Sequence, residues 1–131
     1  LGAEAAATVY AGLVRPVLPF DLVLLGMGED GHTASLFPGH RVADNRLVIP
    51  VHDAPKPPSD RVSLTFAALS ACRLMLILIT GSGKREALRA WRAGDPLPVA
   101  RAAELAGARV LVEASAAGSS GAPPVGGRVP P

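Results

Sequence analysis

Two aliphatic runs that end in glycine constrain this chain more than any other feature: residues 21–25, stopped by Gly26, and residues 74–80, stopped by Gly81. Short, continuous aliphatic runs fit strands buried on both faces of a parallel sheet better than alternating, half-exposed ones. Each is followed by a glycine turn, and helical spacing flanks them. Residues 4–14 place Ala5, Val9, Ala11 and Leu13 as on a short helix, which Pro16 and Pro19 stop. Residues 84–92 put Ala87, Leu88 and Trp91 on one helical face, and residues 99–105 read as a further short helix. Additional strands are expected over residues 47–51, 61–65 and 108–113, the second of these half-exposed because its apolar and polar residues alternate. Residues 33–37 and 66–71 have room for about one helical turn each, and the proline-rich residues 53–60 form a stiff connection. Strand, glycine turn and helix thus recur, which predicts an α/β domain with a largely parallel sheet and ligands at the carboxyl ends of its strands.

With 131 residues, 49% of them hydrophobic, the chain has material for one modest domain, placed here at residues 1–117. The Gly/Pro-rich residues 118–131 are expected to be a disordered tail, because they offer little apolar surface to offset the entropy of ordering. The first residue is Leu1, and the Ala-rich opening reads as the middle of a longer product, so an N-terminal truncation is expected. Cys72 stands alone, which excludes an internal disulfide framework and suits a small core residue in a reducing compartment. A net charge of +2 favours a small anion over a polyanion, and the scattered aromatics give no stacking platform for nucleic acid. The longest apolar run, residues 74–79, falls far short of the roughly 20 residues that span a membrane, and a cytoplasmic location is expected. His32, His40 and His52 lack metal-ligand spacing, so neither a metal nor any other cofactor is expected.

Residues 26–31, Gly-Met-Gly-Glu-Asp-Gly, satisfy a dinucleotide-binding spacing after a strand. The context fails, because Pro38 and Gly39 stop any helix that would aim its N-terminus at a pyrophosphate. The same loop carries Asp30 and His32 two residues apart, close enough to face one cavity, and Gly26, Gly28 and Gly31 allow it to curl tightly. From residues alone this is an active-site loop or an ordinary surface turn. At the second run, Gly81-Ser-Gly83 and Lys84 open a helix, where backbone amides and the lysine suit an anion. Arg85 after Lys84 rules out a Walker A loop. Arg61, at a strand start, is a further anion contact or a structural partner.

Residues 24–39, Leu-Leu-Gly-Met-Gly-Glu-Asp-Gly-His-Thr-Ala-Ser-Leu-Phe-Pro-Gly, resemble the signature of the 6-phosphogluconolactonases, which are related to the glucosamine-6-phosphate deaminases. The resemblance continues through Arg-Val-Ser-Leu-Thr at residues 61–65 and Ile-Thr-Gly-Ser-Gly-Lys-Arg-Glu-Ala-Leu at residues 79–88. It runs on weakly through Leu97 and Pro98 to the final strand, where an aspartate common in the family appears as Glu113, covers the chain from about Phe20 to Ala117, and corresponds to about the C-terminal half of the family domain. It implies a three-layer, Rossmann-like domain, truncated at its N-terminus, that hydrolyses a phosphorylated sugar δ-lactone to its open-chain acid. His32 would be the general base on water, Asp30 would orient it, and Lys84 would hold the substrate phosphate. Loop amides at Gly28 and Gly31 and the turn at Thr33 are the expected oxyanion donors.

Two other readings stand beside it. The deaminases resemble Gly-His-Ile-Ala-Phe-Asn-Glu-Pro after the aspartate, and here Phe37 occupies the place of the glutamate that assists ring opening. A phenyl ring cannot move a proton, which favours the lactonase. The chain also lacks the family's N-terminal glycine-rich phosphate loop and Asp-Glu-Arg segment, so a non-catalytic partial domain is the alternative from a different class.

Overall fold

A computed structural model describes residues 1–118. The chain begins with α1 (Ala3–Val14), continues through a 3-10 turn (Arg15–Val17) and enters β1 (Phe20–Leu25). After a long loop come β2 (Val48–Val51), β3 (Arg61–Leu64), α2 (Phe66–Ser70) and β4 (Cys72–Ile79). A 3-10 turn (Ser82–Lys84) leads into α3 (Arg85–Arg92), followed by α4 (Pro98–Ala106), β5 (Arg109–Val112) and α5 (Ala114–Ala117). The expected tail lies outside the described residues except for Gly118, whose left-handed backbone (φ 68°) caps α5.

The sheet is parallel, in the order β1-β4-β5, with Leu22 opposite Leu74 and Leu78 opposite Leu111. This register brings the loops after Leu25 and Ile79 side by side, at one end of the sheet. β2 and β3 pair with each other, antiparallel, as a separate two-stranded sheet.

Both runs were expected to be buried on two faces, and they are buried on one. Val23, Leu25, Met75, Ile77, Ile79 and Val110 face a core completed by Leu88, Trp91 and Val99 from α3 and α4. Each large apolar side chain buried in this way contributes about 1.5–3 kcal/mol. The intervening residues Leu22 (51% exposed), Leu24 (58%), Leu74 (38%), Leu78 (39%) and Leu111 (41%) form the opposite face. Their aliphatic character is that of a covered surface, yet among the described residues no third layer lies over them. Of the three layers expected, the described residues supply a helical layer and the sheet.

Local expectations fared differently. In α3 the buried residues are Ala87, Leu88 and Trp91, as the spacing predicts. In α1 the buried face is Ala7, Ala11 (half-buried) and Val14, whereas Ala5, Val9 and Leu13 are exposed. The helix packs on the small β2–β3 sheet, and that partner selects its narrower, alanine-rich side. Residues 33–37 do not make a helical turn: Thr33 and Leu36 form an isolated β-bridge, and Ala34 takes a positive φ of 49°. The Thr33 hydroxyl donates to the Gly26 carbonyl at 2.8 Å, so the segment folds back onto the end of β1. α5 had no counterpart in the sequence pattern, four small residues being too few to show a period. Cys72 is a free, half-buried thiol, and burial pushes its pKa up.

Candidate active site

The loop after β1 is shaped by internal hydrogen bonds. The Gly28 amide donates to the His32 carbonyl at 2.8 Å, and the Gly31 amide donates to the Gly28 carbonyl at 3.0 Å. Two of its glycines are required by this geometry. A Cβ on Gly28 would sit 2.1 Å from His32 Nδ1 and Cε1, so the imidazole occupies the space a side chain would need. Gly31 has φ +86°, and a Cβ there would meet Leu97 at 2.8 Å. Gly26 has open space and no positive φ, so the expectation that it too relaxes the backbone finds no support in the geometry. The amide of Val99, in the first turn of α4, donates to the Gly31 carbonyl at 3.1 Å and ties the loop to the core.

Asp30 and His32 are brought together. Asp30 Oδ1 accepts from the His32 amide at 3.0 Å and lies 2.5 Å from His32 Nδ1. Partial burial raises the Asp30 pKa, but the hydrogen bonds from the His32 amide and ring, with the attraction of its charge, outweigh this and hold the carboxyl below its ordinary value. An ionised Asp30 keeps the proton of a neutral ring on Nδ1 and leaves the Nε2 lone pair free to accept one. The ring is supported from the side by buried Phe37, with centroids 4.8 Å apart. Phe37 therefore packs against the imidazole, a role not visible from its chain position.

The loop after β4 faces this one. Lys84 reaches across, its ammonium donating to the Met27 carbonyl. It lines a cavity of about 420 Å³ together with Gly28, Glu29, His32, Thr33 and Lys56. A second cavity, of about 270 Å³, adjoins it and is lined by Asp30, His32, Phe37, Lys56 and Arg61 among others. Gly81 and Gly83 do not form the open amide cradle expected of them. The Gly81 amide donates to Glu113 Oε2 at 2.8 Å, so a carboxylate already occupies that place. This contact holds the Glu113 carboxyl below its ordinary value. A carboxylate also lies over Gly83, where a Cβ would come 2.9 Å from Glu29 Oε1. The Gly28 and Gly31 amides, expected as oxyanion donors, are likewise committed within their own loop. In so short a loop the backbone satisfies itself first.

Arg61 donates from Nε to the Pro58 carbonyl at 2.8 Å and from Nη2 to the Lys56 carbonyl at 2.7 Å, clamping the proline-rich loop. Lys56 and Glu29 were not singled out by sequence; a lysine among prolines and a loop glutamate carry no spacing signal. Among the described residues, no group of three or more His, Cys, Asp or Glu side chains is arranged to hold a metal ion. No described helix is long and apolar enough to cross a membrane.

Comparison with known proteins places these residues in context. A family profile described as "Glucosamine-6-phosphate isomerases/6-phosphogluconolactonase" matches residues 2–111. Human 6-phosphogluconolactonase is 41% identical over 111 residues, covering 76% of this chain and 43% of the human protein. Arabidopsis thaliana 6-phosphogluconolactonase 3, chloroplastic, is 40% identical over 106 residues, covering 69% of this chain and 33% of the relative. Among solved structures, 6-phosphogluconolactonase from Trypanosoma cruzi superposes with a TM-score of 0.74 at 26% identity, covering 92% of this chain and 53% of that one. The chain thus spans less than half the length of these two curated relatives and about half of the solved structure.

Proposed function

The chain belongs to the glucosamine-6-phosphate isomerase/6-phosphogluconolactonase family, and from that premise we propose that it carries the hydrolytic half of a lactonase site. The reaction is hydrolysis of 6-phospho-D-glucono-1,5-lactone to 6-phosphogluconate, a step of the oxidative pentose phosphate pathway, in the cytoplasm. The observation that carries this reading is the Asp30–His32 pair at the end of β1, with Nδ1 engaged at 2.5 Å and the ring lining a cavity of sugar-phosphate size.

In this mechanism His32 Nε2 takes a proton from water as its oxygen attacks the lactone carbonyl, and Asp30 stabilises the imidazolium that forms. The ring C–O bond then breaks, and the proton passes to the departing alkoxide to give the open-chain acid. Lys84 contributes positive charge to the same cavity and binds the anionic substrate. Hydrolysis of a lactone requires no electron carrier, so no cofactor enters the scheme.

Turnover of the lactone by the folded chain, followed as acid release, tests the reading. Activity that disappears in His32→Ala is the expected result. A folded chain without turnover would overturn catalysis by this chain and favour the second reading, a non-catalytic partial domain. The exposed leucine face of the sheet is the observation that supports that alternative.

A further inference from the structure

The two cavities beside the imidazole share three side chains: Glu29, His32 and Lys56. Lys56 sits in a loop secured in several places. The Ala54 amide donates to the Ser59 carbonyl at 3.0 Å, and His52 Nδ1 meets Asp60 Oδ1 at 3.0 Å across the loop's base. Arg61 grips the Lys56 and Pro58 carbonyls from within. Pro55 and Pro57 flank the lysine and narrow its backbone freedom further. Among the described residues, the ion pairs and side-chain hydrogen bonds leave the Lys56 ammonium unengaged, whereas the Lys84 ammonium is already bound to Met27. A cation without a structural task, carried on a braced loop beside the catalytic ring, is arranged for a ligand. Glu29 is the carboxylate that shares its cavities, and it keeps the pair of lysines from being a purely positive site.

We propose that Lys56 is a second anion-binding residue of this site and sets its preference for phosphorylated over unphosphorylated sugar acids; the assignment rests on the lactone-hydrolase reading above. Lys84, held at Met27, supplies fixed charge to the cavity. Lys56, whose stem is free and whose backbone is fixed, closes on the phosphate once the substrate is in place.

Binding of 6-phosphogluconate and of gluconate to the full chain by titration calorimetry tests this. The wild-type chain is expected to prefer the phosphorylated acid. Lys56→Met keeps the apolar stem and should weaken 6-phosphogluconate by about ten- to hundredfold while leaving gluconate unchanged. Lys56→Arg should restore most of the preference, and the exposure of the side chain makes both variants compatible with folding. If Lys56→Met binds both acids as the wild type does, Lys56 is a solvated surface residue and the lactonase reading stands without it. If the wild-type chain shows no preference for the phosphorylated acid, the lactonase reading falls and the assignment of Lys56 falls with it.

Discussion

The loops after β1 and β4 are built on one plan and put to different uses. Each follows a parallel strand, each contains glycines, and each has a carboxylate accepting from a backbone amide: Asp30 from His32 at 3.0 Å and Glu113 from Gly81 at 2.8 Å. Asp30 also meets the imidazole of His32 through Nδ1, so its charge bears on a ring whose other nitrogen can accept a proton. Glu113 meets no ring: it accepts from the Gly81 amide and from the Ser115 side chain, and it fixes the turn that precedes Lys84. On the lactonase reading proposed above, the same interaction serves chemistry in one loop and shape in the other, according to whether an imidazole stands within reach.

The comparison is most easily broken at the ring itself. His32→Ala is expected to lower kcat of the lactonase reaction by roughly 10²- to 10⁴-fold with less effect on KM. Unchanged turnover would reduce the first loop to the status of the second. Gly28→Ala places a methyl group 2.1 Å from the ring atoms, so the imidazole must move. A fall of about 10²-fold in kcat is expected, since ångström-scale misplacement of a catalytic group costs about that much. Circular dichroism will show whether the fold survives.

Lys84→Ala probes the second loop and should weaken substrate binding by about 1.5–3 kcal/mol, visible as a raised KM. Glu113→Ala should have a smaller effect of the same kind, about threefold or less in KM with kcat kept, and Glu113→Gln should recover it through its amide oxygen. A loss of kcat in Glu113→Ala would mean that the second loop, too, touches the chemistry.

The smallest effect is on stability. Because the folded chain holds the Asp30 carboxyl below its ordinary value, the unfolded chain binds more protons in that range. The pair therefore stabilises the fold above the ordinary aspartate pKa, and the contribution disappears as pH falls through the folded value. Melting temperatures recorded from about pH 6 to about pH 2 should show an acid-side loss in the wild type that Asp30→Asn lacks.

Much of this was legible in advance because it is local. The glycine stops after β1 and β4, the apolar face of α3 and the two-residue spacing of Asp30 and His32 each lie within a few positions of chain, where period and turn chemistry can be read. What escaped depended on partners distant in sequence. The buried side of α1 was chosen by the β2–β3 sheet, and the Gly81 amide was claimed by a carboxylate 32 positions away. Lys56 reached the site because Arg61 and the ends of its own loop hold it there.

By itself the sequence determined the α/β alternation, the family, and the residue types that meet at the end of the sheet, because strand length, glycine stops and motif spacing are properties of neighbouring residues. Only the tertiary structure decided, among the described residues, which amides were already committed, which lysine was tied to a carbonyl and which was free, and which face of the sheet was bare. Those outcomes follow from hydrogen-bond satisfaction and burial, which distant segments settle when they pack together.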